Sequence, residues 1–342
     1  MPALAKNYTV IAPDLRGLGD SSKPLTGYDG KTVAEDIHQL VAKLGFKTIF
    51  LVGHDIGGLI AYSYAAAHPT EVKRLVVSDI TIPGFTPPGS ITPWWFAFHQ
   101  TPDISEALVQ GKELMYLSWF YHSLAYNPAA ITQADINEYV SHYSAPGAMR
   151  AGFEYYRAFP QDTIENQNYS KTKLTMPVLA VYGSYYPAFG GNVTVNPALY
   201  SMNALAQNVL GIQFPNSGHW GPEERPDFVI KMLDNFFADN TTNTSTPDPI
   251  LKNLHASSCA YACTIHVGSG PTGIAFDPKN GNLYVTNSRD KTVSVISGQN
   301  NTVIRTISCC VQYTYNKVSP SGIAFDSANG NLYVTGSAES PQ

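Results

Sequence analysis

Thr48-Ile49-Phe50-Leu51-Val52 is a run of strand formers that breaks into Gly53-His54-Asp55-Ile56-Gly57-Gly58 before a second apolar run, Leu59 to Ala67, stops at His68-Pro69. The short run predicts a strand, the small residues a tight turn, and the longer run a helix closed off by the proline. Similar patterns lie on either side. Tyr8 to Ala12 predicts a strand ending at Pro13-Asp14, Val33, Ile37, Leu40, Val41 and Leu44 recur at helical spacing up to Gly45, and Arg74 to Ser78 predicts a strand running into Asp79. Strands and helices alternating with short loops predict a parallel, doubly wound α/β sheet whose chemistry gathers at the carboxyl ends of its strands.

Beyond Gly84 the pattern changes. Residues 85–172 carry helical, aromatic-rich segments broken by prolines, with Trp94, Trp95, Trp119, Phe120 and Tyr121 among them, which predicts an inserted helical lid. The sheet pattern resumes at Val178 to Tyr182 and Gly211 to Phe214, followed by Pro215-Asn216-Ser217-Gly218-His219-Trp220. Phe228, Val229, Met232, Leu233 and Phe236 then mark a closing amphipathic helix. The expected division is a first part of the core at 1–84, the lid at 85–172 and a second part of the core at 173–238.

The Asn-, Thr-, Ser- and Pro-rich stretch at 239–252 predicts a linker, and the remainder, 253–342, repeats itself. Pro271-Thr272-Gly273-Ile274-Ala275-Phe276-Asp277 returns as Pro320-Ser321-Gly322-Ile323-Ala324-Phe325-Asp326, and Gly281-Asn282-Leu283-Tyr284-Val285-Thr286 as Gly330-Asn331-Leu332-Tyr333-Val334-Thr335. A period of about 49 residues, with short strands and an Asn-Gly turn in each copy, predicts all-β propeller blades. Two copies fall short of the roughly four to eight blades of a closed propeller, so an incomplete one is expected.

The net charge is −5 with no basic stripe, which argues against nucleic acid as a partner. No apolar segment is long enough to span a membrane, the first residues are too short and too weakly apolar for a signal peptide, and a soluble protein is expected. All four cysteines (Cys259, Cys263, Cys309, Cys310) lie in the last third, at no zinc-ligand spacing; a disulfide and unpaired core thiols both remain open. No metal and no cofactor is expected.

Asp55 is the residue that needs explaining. A carboxylate at a strained strand-to-helix turn, with helix amides aimed at it, suits attack on an sp³ carbon, displacing a leaving group in line and leaving an alkyl ester on the enzyme. Hydrolysis of that ester needs an activated water, for which His219, in a glycine-bounded loop after the last strand, is the general base. The base in turn needs an acid. No Asp or Glu occurs between Leu179 and Gly218, so the expected acid is Asp79, for which a turn or capping role is the alternative reading.

In order along the chain, Asp14-Leu15-Arg16-Gly17-Leu18-Gly19-Asp20-Ser21-Ser22-Lys23-Pro24, Gly53-His54-Asp55, Phe153-Glu154-Tyr155-Tyr156-Arg157-Ala158 and Asn216-Ser217-Gly218-His219-Trp220 resemble the motifs of α/β-hydrolases of the epoxide hydrolase and dehalogenase group. The resemblance covers residues 1 to about 238 and implies a small-molecule substrate, an epoxide or an alkyl halide. It implies that Tyr156 donates to the epoxide oxygen, that Trp95 occupies the place of a second lid donor, and that the Ile56 amide is one half of an oxyanion hole. His54 and Tyr155, in the same motifs, join the expected substrate-binding set. No His-Gly-x-Pro precedes the elbow, and Met1 to Ala5 resembles the end of the first family helix; the expectation is a sheet without the strand between Tyr8–Ala12 and Thr48–Val52. Ile56 stands where haloalkane dehalogenases place Trp and fluoroacetate dehalogenases Arg, which favours epoxide hydrolysis over dehalogenation. Tyr284-Val285-Thr286-Asn287 resembles the propeller repeat known by those four letters, a family frequent in surface or secreted proteins, whereas the hydrolase part implies cytoplasm. A third reading is an inactive hydrolase carrying a propeller binding module.

Overall fold

The first unit is built on β1 (Ile49–His54), β2 (Val72–Ser78), β3 (Val178–Gly183) and β6 (Val209–Phe214), which the apolar runs foretell, and on a short antiparallel pair, β4 (Tyr185–Tyr186) and β5 (Gly191–Asn192), which they do not. β1, β2, β3 and β6 form a parallel sheet in that order, registered so that His54 pairs with Ser78, Ser78 with Val181 and Gly183 with Phe214. That register lines up the carboxyl ends of all four strands, and the site is built on that edge. The structure is a computed structural model and describes residues 2–186, 191–192, 196–238, 265–297, 302–308, 318–326, 329 and 331–338. The described residues fall into two compact units that divide after residue 251. The expected linker and all four cysteines lie outside the described residues.

Consecutive residues of β2 and β3, among them Leu75, Val76, Val77, Leu179, Ala180 and Val181, are fully buried, as strands covered on both faces require. One face packs under α1 (Gly30–Lys43) and α2 (Ile56–Ala67), where Val33, Leu59, Ile60, Leu75, Val77 and Ala180 share one core. α1 starts where the Asp29 side chain accepts the Thr32 amide at 2.9 Å, an N-cap.

After β2 come six helices in place of the alternating pattern: α3 (Trp94–Gln100), α4 (Ile104–Val109), α5 (Glu113–Ser123), α6 (Gln133–Tyr143), α7 (Ala148–Arg157) and α8 (Phe159–Tyr169). Their aromatic residues pack on one another, with Trp95 and Leu124 buried in a cluster that also takes in Tyr186. α9 (Pro197–Leu205) returns to the sheet, and the short α10 (Gly221–Glu224) leads into α11 (Pro226–Ala238). Phe237 of α11 stacks on Phe50 at 4.6 Å, and the Arg74 guanidinium lies 5.2 Å over Phe236. Phe50 and Arg74 are register partners that alternate with the Leu75 side of the sheet, so α11 covers the opposite face.

Tyr8 to Ala12 corrects an expectation. These residues form no strand; β1 is the edge of the sheet, and Tyr8 only sets its ring edge-on to Phe50 and Phe237, at 5.9 and 5.8 Å. A strand is held by its ladder, and without a neighbouring strand to pair with the apolar pattern alone does not make one.

The second unit contains β7 (Pro271–Asp277), β8 (Asn282–Asn287), β9 (Thr292–Ile296) and β10 (Val303–Ser308), an antiparallel meander, and a hairpin of β11 (Val318–Asp326) and β12 (Asn331–Ala338). The repeat is structural as well as sequential. Ile274 pairs with Val285 as Ile323 pairs with Val334, each hairpin is irregular just before its glycine, and Asn280 and Asn329 donate to the hydroxyls of Tyr284 and Tyr333 at 3.1 and 3.0 Å.

Candidate active site

The turn after β1 holds Asp55 at φ 51° and ψ −129°, a left-handed backbone that a non-glycine residue adopts at a cost of about 1–3 kcal/mol. Gly53 makes the turn possible, since a Cβ there would run into the Gly57 carbonyl. The Asp55 amide is tied into the sheet through the Ser78 carbonyl at 2.9 Å, and α2 starts immediately after it. The Ile56 amide donates to the Asp55 carboxylate. Burial pushes this carboxyl up, but the hydrogen bond and charge of His219, the charge of His54 and the Ile56 amide outweigh burial and hold it below the usual range.

His219 reaches Asp55 from the loop after β6, its Nε2 3.1 Å from Oδ2. The loop is fixed at its backbone: the His219 amide donates to the Leu124 carbonyl at 2.8 Å, and a Cβ on Gly218 would strike that same carbonyl. Nε2 of His54 donates to the His219 carbonyl at 2.7 Å, so His54 serves the loop's geometry. Burial lowers the proton affinity of His219, and Asp55, Asp79 and Glu223 more than restore it, leaving its pKa above the ordinary value.

Asp79 is buried at the end of β2, also at positive φ. No hydrogen bond joins it to His219; it acts on that ring through its charge, and its nearest imidazole is His54, at 3.8 Å. Its oxygens accept from Ser78 Oγ at 2.5 Å, from the Gly183 amide at 2.8 Å and from the Tyr186 hydroxyl. The end of β3, where sequence reasoning found no acid, thus supplies an amide and a phenol to an acid held on β2. Tyr186 escaped that reasoning because nothing in its local sequence marks it.

A cavity of about 1210 Å³ lies beside Asp55, lined also by residues of α3, α5, α6, α7 and α8. Tyr156, on α7, lines it. Burial and then the charge of Asp55 push its phenol well up, opposed by a hydrogen bond from Trp95. Indole is a donor only, so Trp95 bears on the Tyr156 oxygen through its N–H. Tyr155 also borders the cavity, but its hydroxyl donates to the Arg16 carbonyl at 2.7 Å. Of the expected residues, the structure brings Asp55, Ile56, His54 and His219 into contact, sets Tyr156 and Trp95 across the cavity, and turns the Tyr155 hydroxyl into the core.

Away from the cavity, Glu35, His38 and His68 bring possible ligand atoms within 4.8 Å of one another. The two imidazoles are stacked at 3.8 Å with planes 5° apart, and Nδ1 of His38 lies 3.1 Å from Glu71. An ion in the plane of one ring would lie outside the plane of the other, so the group is better described as a hydrogen-bonded cluster.

Comparison with known proteins agrees with this geometry. Residues 1–226 match the alpha/beta hydrolase fold. A soluble epoxide hydrolase of Corynebacterium sp. (strain C12) is 40% identical over 248 residues, covering 70% of this chain and 84% of that protein. A fluoroacetate dehalogenase of Burkholderia sp. is 26% identical, covering 70% and 81%. The solved structure of the epoxide hydrolase CorEH without ligand superposes with a TM-score of 0.61 at 38% identity, over 69% of this chain and 84% of that one. An Asp55 elbow, a histidine from the loop after β6 and the helices α3–α8 inserted between β2 and β3, together with these likenesses, place the chain among the α/β-hydrolases as an epoxide hydrolase-like hydrolase.

Proposed function

We propose that the protein hydrolyses epoxides to vicinal diols through an ester on Asp55. The observation that carries this is the 3.1 Å contact of His219 Nε2 with a carboxylate held at a strained elbow beside the Ile56 amide. Asp55 attacks an oxirane carbon, the carbon–oxygen bond breaks, and the released oxygen takes the Tyr156 proton. Water then attacks the ester carbonyl and gives a proton to His219. The Ile56 amide steadies the oxyanion, His219 protonates the departing diol oxygen, and the carboxyl proton left on Asp55 restores the Tyr156 phenol. Asp79 supports the imidazolium by its charge.

His219→Gln should let alkylation proceed and stop hydrolysis, so that styrene oxide adds its own mass to the protein on Asp55. No adduct in this variant, with no diol from the wild type, would sink the reading; halide release from simple haloalkanes would replace it with dehalogenation.

The domain layout expected from sequence is proposed as well: a core at 1–84 and 173–238, a lid at 85–172, a linker at 239–252 and propeller-type repeats at 253–342. Supporting the last part are the meander of four antiparallel strands and the recurrence of its first hairpin in the same register. Small-angle scattering of the chain lengthened by further copies of its own repeat should report a closed disc; an open, elongated array would count against a propeller.

A further inference from the structure

We propose that Glu223, on α10, and the rings of Trp220, Tyr121 and Tyr139 form a subsite for a protonated or quaternary amine, so that the epoxides taken best carry a cationic substituent. Naming this substrate class rests on the epoxide reading above. All four residues line the cavity beside Asp55. The Glu223 amide donates to the Trp220 carbonyl at 3.0 Å, so one turn of chain presents both residues. From His219 the rings follow one another: Trp220 lies 4.8 Å from His219, Tyr121 5.1 Å from Trp220 and Tyr139 5.3 Å from Tyr121. The charge of Glu223 bears on the Tyr121 and Tyr139 phenols and on His54 and His219, which sets its carboxylate among these rings.

The residues that line the cavity include three acids, Asp55, Asp79 and Glu223, and no lysine or arginine. Two of the acids are engaged. Asp55 is held by His219 and the Ile56 amide, and Asp79 accepts from Ser78, the Gly183 amide and Tyr186. Glu223 is open to the cavity and, among the described residues, forms no ion pair and accepts only from its own amide. The protein packed around it pushes its carboxyl up, the charges of His54 and His219 oppose that, and a bound cation would oppose it further.

A carboxylate without a counter-charge beside electron-rich rings suits an ammonium. The ring faces attract the cation and cover its methyl or methylene groups, and the carboxylate supplies the opposite charge. A substrate carboxylate meets the reverse, a further acid on a wall with no lysine or arginine to receive it. Oxirane and amine are then the two ends of one substrate, the first at Asp55 and the second at Glu223.

Calorimetric titration of the full chain with choline and with 3,3-dimethylbutan-1-ol, which has the same shape and no charge, tests the subsite without any chemistry. Choline should bind about 10- to 100-fold more tightly, Glu223→Gln should bring the two to equal affinity, and Glu223→Asp should keep part of the difference. Equal affinity in the wild type would overturn the subsite, as would equal loss of both ligands in Glu223→Gln, the mark of a packing role. Single-turnover formation of the Asp55 ester then tests the substrate class. The ratio of rates for glycidyltrimethylammonium and its neutral isostere 4,4-dimethyl-1,2-epoxypentane should fall about 10- to 100-fold in Glu223→Gln, and an unchanged ratio would overturn that class. Choline binding that depends on Glu223, with no ester from any epoxide, would support the subsite and overturn the epoxide reading alone.

Discussion

Asp55 and His219 shift each other in opposite senses, and the pH dependence follows. The carboxyl of Asp55 is held below its ordinary value, so its contribution to stability is present above the unfolded pKa and is lost as pH falls through the folded one. His219 is raised, so its contribution is complete below about 6.5 and is lost as pH rises through the higher folded value. For His219 to act as the proposed base it must be neutral, and in the ester the Asp55 charge that raises it is gone, so ester hydrolysis is expected to switch on with a midpoint at a lower pH than that at which His219 titrates in the free protein. Asp79→Asn removes a charge that favours the imidazolium, so the midpoint should move down while the rate of Asp55 alkylation changes little; an unmoved midpoint in single-turnover profiles would remove Asp79 from the site. Asp55 and His219 were legible because each sits in a short pattern with one chemical meaning. The Asp79 surroundings were not, since Gly183 and Tyr186 lie more than a hundred residues further along the chain.

The elbow and the lid are held by contacts that can be tested one at a time. Gly53→Ala would drive a methyl into the Gly57 carbonyl, so a loss at or beyond the upper end of about 1–3 kcal/mol is expected; an unchanged denaturation midpoint would show that the turn relaxes freely. In the lid, Asp162 of α8 accepts the Gly30 amide at the start of α1 at 2.7 Å, and its Oδ2 is buried without a partner. Burial pushes this carboxyl up to about 7. Folding therefore favours its protonated form, and the stability this gives is full at low pH and declines as pH rises from about 4 towards 7. Asp162→Asn keeps an acceptor for Gly30 without the buried charge, so it should be more stable than wild type at pH 8 by a few kcal/mol, with the gain vanishing below pH ~4; thermal melts at both pH values decide it. That residues 85–172 are helical followed from their aromatic-rich segments broken by prolines, though the bounds of the individual helices did not. The Asp162 tie did not, because a carboxylate in the first turn of a polar helix reads as solvated until its neighbour is known.

The two units carry separate cores, and calorimetry should show two transitions. Leu75→Ala, in the parallel sheet, should lower one by an amount corresponding to about 2–5 kcal/mol, and Val295→Ala, buried in β9, should lower the other alone; a single transition that both variants move would mean the units unfold as one. By itself the sequence determined the strands and helices that periodicity encodes, the elbow with its carboxylate, the loop histidine and the repeated hairpins, because each is a matter of local spacing and backbone preference. Tertiary structure alone decided that Tyr8 to Ala12 is not a strand, that Asp79 is held from the end of β3, and that the Trp95 N–H goes to Tyr156. Each of those outcomes depends on which group occupies the neighbouring space, and hydrogen bonds between distant segments are set by that arrangement and not by spacing along the chain.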